Sequence, residues 1–185
     1  MSVLSDLDLS RELAYGDLEV EPIDISEQLQ PNSLDIRLGN QFSKFELSEE
    51  PIDTKKGINK EYIRDFEVSD HYVLEPGEFV LANTKEWMEI PNYLYAELNG
   101  RSSFARLGLE IHSTGGVVDS MFKGELVLEV SNNSNRAVKI YPGQRIAQLI
   151  FYELNTPCNN GYSDKNNKYQ GQEGAVHSRL EEDYE

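Results

Sequence analysis

Glu129 is the residue of this sequence that most demands a chemical role. It sits in GVVDSMFKGELVLEVSN, residues 116–132. The alternation from Glu125 to Val130 predicts a strand, with Leu126, Leu128 and Val130 on one face and Glu125, Val127 and Glu129 on the other. Glu125 follows Gly124 at the start of that strand, where water has access. Glu129 stands further in, among leucine and β-branched neighbours, and is expected to be buried. A carboxylate in such surroundings must be paired, protonated or put to use. Burial raises its basicity, so the chemistry it offers is the removal of a proton from an attacking water.

Three short segments hold the other candidates. In GRSSFARLG (100–108), Gly100 permits a tight turn, Ser102 or Ser103 can cap a helical turn, and Arg101 and Arg106 flank it. Backbone N–H groups at a helix start, with guanidiniums beside them, suit a phosphate. Alone, the stretch reads better as a capped surface turn; beside Glu129, a binding role gains weight. In GGVVDSM (115–121) the glycines let a flat ligand approach the backbone, and Asp119 can accept hydrogen bonds from a sugar hydroxyl. A β-bulge and a turn aspartate explain the same residues equally well. KYQGQEGAVHSR (168–179) brings Lys168, Gln172 and Arg179 into an aperiodic segment, which reads as a lid or as a mobile terminus.

Other chemistries find little support. His71, His112 and His177 are far apart, none is followed by the x-Glu of zinc deaminases, and the single Cys158 allows no Cys-x-x-Cys. His112, in LEIHSTGG, reads as a hydrogen-bonded histidine at a strand end. G-x-S-x-G, P-loop and G-x-G-x-x-G patterns are missing from the sequence.

These residues need a frame. Ser5 with Asp8, Leu9 with Leu13, and Gly16 predict a short N-terminal helix. Strands are predicted at 34–38, 72–74, 78–82, 138–141 and 144–154, and the turns Pro76-Gly77 and Pro142-Gly143 predict two hairpins. At most a turn or two of helix fits between Ser102 and Leu107, residues 48–60 are a polar excursion, and the chain from Asn155 reads as an extended arm ending in EEDYE. The pattern is mainly β, a sandwich or jelly roll, and one domain over 1–185 with 155–185 as arm or lid. Seventeen basic against 33 acidic residues give a net charge of −16, which opposes nucleic-acid binding and reads as a solubility adaptation. With no long apolar run, no signal-peptide pattern and one cysteine, a cytoplasmic protein without membrane attachment is expected.

QPNSLDIRLG, GRSSFARLG, the stretch from VVD to VLEVSN, PGQRIAQL and KYQGQEGAVHSR occur in the order of the motifs of the dCTP deaminase and trimeric dUTPase superfamily. The chain resembles it from about Leu4 to Arg179. Glutamate at position 129, where simple dUTPases carry an apolar residue, and the ending of the tail resemble the dCTP deaminase family. Gly116 and the apolar Val117 are similar to the two-step enzymes that convert dCTP to dUMP. Gly115 and Ser120-Met121 depart from the Ala and Pro-Gly usual in the deaminases and bear on the product.

The resemblance implies a distorted jelly-roll (β-clip), dUTPase-like fold with a short N-terminal helix, and a homotrimer with sites between subunits. It implies hydrolytic deamination of dCTP to dUTP and ammonia, supplying dTTP precursors, with dUTP and dTTP as further ligands. A bifunctional dUMP-forming enzyme, or a dUTPase only, are the alternatives; a non-catalytic β-domain with Glu129 merely ion-paired is the remaining reading. By the same resemblance Glu129 is the general base, while Ser102 and Arg106 hold the water and stabilise developing charge. Val127 and Leu128 present backbone to the base, and Asp119 meets the deoxyribose. Arg101, Ser103, Phe104, Ala105, Gln148, Tyr162, Lys168 and Gln172 match nucleotide-binding positions, the tail residues mostly on the phosphate side. Mg²⁺ is implied on the triphosphate, with no metal ligands from protein and no zinc.

Overall fold

The N-terminal segment folds as its sequence predicts. In the computed structural model, which describes residues 2–165 and 167–184, β1 (Ser2–Val3) leads into α1 (Asp6–Tyr15). Met1 lies outside the described residues, as do Asn166 and Glu185 of the expected arm. Ser5 and Asp8 form a reciprocal capping box, Gly16 closes the helix on the Glu12 carbonyl, and Leu9 is fully buried. There follow β2 (Glu19–Glu21), α2 (Ile25–Gln28), β3 (Leu29–Gln30), β4 (Ser33–Phe45), β5 (Ile63–Glu67), β6 (Tyr72–Leu74), β7 (Phe79–Glu89) and β8 (Leu94–Gly100). After the single turn α3 (Ser102–Ala105) come β9 (Leu109–Glu110), β10 (Val117–Val118), β11 (Lys123–Asn132), β12 (Val138–Ile140) and β13 (Arg145–Glu153).

Hydrogen-bonded neighbours run β10-β8-β13-β4-β7-β11-β9, and the strand pairs are antiparallel. The fold is the curled, mainly β architecture that was expected. Among the described residues no helix is long and apolar enough to cross a membrane.

β4 holds the curl together. Its first half pairs with β13 and its second half with β7 and β5, with a register shift between Leu38 and Phe42. Residues on both faces of its first half are buried, whereas Asn40, Gln41 and Phe45 further on are exposed. Leu34, Ile36 and Leu38 are fully buried, but Asp35 between them is buried too, so LDIRL does not alternate between core and water. Arg37 is held by Glu86, which is completely buried: Arg37 Nε lies 2.6 Å from Glu86 Oε1, and the Arg37 N–H donates to Oε2 at 2.9 Å.

The Pro-Gly turns form, but the hairpins do not. Glu78 N–H returns to the Glu75 carbonyl and Gln144 N–H to the Tyr141 carbonyl, with Gly77 and Gly143 at φ +77° and +86°, as a type II turn requires. The strands before the two turns pair with each other instead, β6 with β12, in a separate two-stranded sheet. Each turn thus carries the chain out of that small sheet and into the large one. Local turn chemistry specified the bends; partner choice was a long-range matter.

Candidate active site

β11 has the two faces its alternation requires. Leu126, Leu128 and Val130 are buried in the core, while Val127, Glu129 and Ser131 are half-buried on the other side. That second face, with Leu81 opposite Glu129 across the ladder to β7, forms one wall of a cavity of about 410 Å³. Such a volume is in the range of small-molecule sites. Val118 and Asp119 border the cavity, and Tyr162, Tyr169 and Gln172 reach it from the arm.

Glu129 is not buried as expected: 33% of its side chain is accessible to solvent. It stands on the cavity face of the strand, so its apolar neighbours flank it without covering it. One oxygen accepts the Ser113 N–H at 3.1 Å, and His112 Nδ1 lies 3.9 Å from the same oxygen. The remaining desolvation must come from whatever fills the cavity. Glu125 corrects the opposite way. Instead of facing water, its Oε2 accepts Asn83 Nδ2 at 2.9 Å and the Gly174 N–H at 2.7 Å.

The arm lies along β11. Gly171 N–H donates to the Lys123 carbonyl at 2.8 Å, Glu125 N–H to the Gln172 carbonyl at 3.0 Å, and the Gln172 amide to the Glu125 carbonyl at 2.7 Å. This close approach depends on Gly124, at φ +138°, where a Cβ would come within 2.7 Å of the Gln172 carbonyl oxygen. Further along, Tyr162 sets its ring edge-on to Phe122 at 5.7 Å, and burial pushes its phenol pKa up. Met121 adopts φ 65°; its side chain packs over Gly161 and its carbonyl accepts the Gln170 amide. Lys168 is turned away from the cavity wall, 2.6 Å from Asp183, whose hydrogen bond raises its pKa.

The arginine segment lies apart from this cavity. Ser102, Ser103, Ala105 and Arg106 are exposed, and Phe104 packs against the core. The expected serine cap is not formed: Arg101 occupies the N-cap position, no side chain caps the turn, and both serines fall inside it. Arg101 instead pairs with buried Asp35 at 3.4 Å and donates to the Arg145 carbonyl at 2.7 Å. Gln148 faces Asp35 across the β4–β13 ladder and accepts the Ser33 hydroxyl at 3.4 Å. One chain therefore gathers Glu129, Asp119, Val127, Tyr162 and Gln172 around the cavity. It leaves Arg101 to Arg106, Gln148 and Lys168 elsewhere, and Leu128 in the core.

Sequence reasoning missed Asp35, Arg145, Tyr169 and His177. A charge between Leu34 and Ile36 in a predicted strand was the available signal for Asp35. His177 lies 3.3 Å from Asp65, touches the Ser43 hydroxyl and borders the same cavity; nothing in its spacing announces this.

Known proteins share this arrangement of segments. The profile of the dCTP deaminase-like family matches residues 3–154. A dUMP-forming dCTP deaminase from Methanosphaera stadtmanae is 38% identical over 191 residues, covering 100% of this chain and 97% of the relative. A dCTP deaminase from Halorubrum lacusprofundi is 42% identical over 189 residues, covering 99% and 93%. The crystal structure of the 2′-deoxycytidine 5′-triphosphate deaminase from Agrobacterium tumefaciens matches with a TM-score of 0.64 at 24% identity. That match covers 80% of this chain but only 46% of the other, and it speaks to the fold alone. With the family profile spanning residues 3–154 and the relatives aligning through the arm, the chain belongs to the dCTP deaminase-like family.

Proposed function

We propose that the protein deaminates dCTP, with Glu129 as general base. The observation that carries this reading is the position of Glu129 on the wall of a 410 Å³ cavity, with Asp119 at its border and the arm across it. A water placed against Glu129 loses its proton to the carboxylate and adds to C4 of cytosine. The proton passes from Glu129 to N3; Glu129 then takes the proton of the new C4 hydroxyl and gives it to the amino group, so that C4=O forms as the C4–N bond breaks, giving dUTP and ammonia. Ligand in the cavity excludes solvent from the accessible side of Glu129, which raises its basicity when it is needed. Asp119 is placed to accept from the deoxyribose, and Gln172 and Tyr162 to close over the nucleotide. Lys168 reaches the triphosphate once its pair with Asp183 opens. Mg²⁺ would enter on the phosphate oxygens of the nucleotide.

Ser102 and Arg106 are exposed and away from Glu129 of their own chain, so each chain carries two half-sites. A homotrimer, implied by the family resemblance, completes each cavity with the α3 segment of a neighbour. Subunit exchange tests this. Glu129→Gln and Arg106→Gln variants, each inactive alone, are expected to regain a fraction of wild-type deamination when unfolded together and refolded as a mixture. No recovery in the mixed protein counts against a shared site.

A dUMP-forming reaction is the second reading, favoured by Gly116 and Val117 and by a relative named for it. Incubation with dCTP and Mg²⁺ separates the two. dUTP and ammonia alone indicate the single step; dUMP with pyrophosphate indicates the two-step enzyme. Unaltered dCTP, with dUTP consumed in a parallel incubation, would leave a dUTPase and remove the proposal.

A further inference from the structure

Asp35 is the centre of a charge cluster that the base chemistry does not use. Its side chain is 2% exposed and lies 3.4 Å from Arg101 Nε and 3.4 Å from Arg145 Nη1. A buried carboxylate without partners is costly, and two guanidiniums around one carboxylate offset that cost while leaving a net positive charge. In a chain of net charge −16, such a surplus is a local exception. Both arginines remain partly open to solvent, at 29% and 34%.

Their geometry is fixed from behind. Arg101 spends Nε on Asp35 and Nη1 on the Arg145 carbonyl, and Arg145 spends Nη1 on Asp35 and the Glu27 carbonyl. Arg101 Nη2 and the Nε and Nη2 of Arg145 have no partner among the described residues. A bulge between Arg145 and Ala147 shifts the β4–β13 register, bringing Arg145 to the side of the ladder where Gln148 faces Asp35. Guanidiniums anchored on one edge and free on the other make directional, charge-assisted hydrogen bonds to phosphate oxygens at little entropic cost.

We propose that Arg145 is a further phosphate-binding residue beside Arg101 and that Asp35 is the positioning residue that aims both. The ligand is the polyphosphate of the nucleotide, so this inference rests on the deaminase reading. Losing a charge-assisted hydrogen bond corresponds to about a 10- to 100-fold effect on affinity.

The experiment measures dCTP deamination, and its inhibition by inorganic tripolyphosphate, in the full-length wild type, Arg145→Gln, Asp35→Asn and the double variant. Arg145→Gln is expected to raise KM for dCTP and the tripolyphosphate inhibition constant by about 10-fold or more, with kcat within about 3-fold. Asp35→Asn shifts the same two constants, and adds less in the Arg145→Gln background than alone, because it acts through the arginines. A purely structural Asp35 would lower activity without moving the tripolyphosphate constant. Unchanged KM and inhibition in Arg145→Gln, a change at a partly exposed side chain that leaves Arg101 paired with Asp35, overturns the proposal even if Asp35→Asn does not fold. If the wild type itself leaves dCTP intact, the deaminase reading falls first and this inference with it.

Discussion

Glu129→Gln is expected to lower ammonia release from dCTP by about two to four powers of ten while nucleotide binding stays within a few-fold of wild type. Glutamine keeps the shape of the side chain and its ability to accept the Ser113 N–H, now at 3.1 Å. It removes the group that can take a proton from water. The loss should therefore appear in kcat and not in the dissociation constant, which stopped-flow assay of product and equilibrium dialysis with dCTP measure separately. Glu129 is partly open in the free chain, so water reaches it until ligand fills the cavity. Turnover unchanged in the variant would remove Glu129 from the mechanism. Binding lost together with turnover would make it an ordinary ion-pairing partner.

Removing Glu86 should have the largest effect on stability. Its side chain has no solvent access, and it receives Arg37 Nε, the Arg37 N–H and the Gln28 amide at 2.6, 2.9 and 3.0 Å. Glu86→Ala strands the Arg37 N–H and Nε, the latter in a guanidinium whose side chain is only 16% exposed, and leaves the Gln28 amide only the Asp35 carbonyl. Breaking a buried pair from one side costs about 3–5 kcal/mol. Urea unfolding at one fixed protein concentration reads this as a drop in midpoint with little change in slope. A loss under about 1 kcal/mol would show that Arg37 finds water or another acceptor, and that this pair does not hold the β4 crossing.

Much of the frame is legible in the sequence where the signal is local. The Ser5–Asp8 box, the Pro-Gly turns and the alternation in β11 each specify their own backbone, and all three form. Pairing is not local: nothing near Tyr72 indicates that its strand will meet Val138–Ile140 in place of the strand after the turn. Periodicity also treats charge as a mark of exposure. It therefore misreads Asp35, which is buried with its partners supplied from far along the chain, and Glu125, which is tied to Asn83 and Gly174. Glu129 fails in the reverse sense, because a hydrophobic neighbourhood in sequence becomes the rim of a hollow in space. Asp119, Val127, Tyr162 and Gln172, which the motifs mark, line one cavity, but order along the chain cannot show that Arg106 lies apart from it.

The contact of Gly174 with Glu125 reaches deeper than the surface. The same carboxylate oxygen holds the Asn83 amide, and the other end of that amide accepts the Gln41 N–H at 3.0 Å, next to the register shift in β4. Peeling back the chain terminus thus loosens a rivet at the crossing of two strands as well as uncovering a doorway. A shortened protein made to mimic the open state would come apart at the seam it was meant to leave intact.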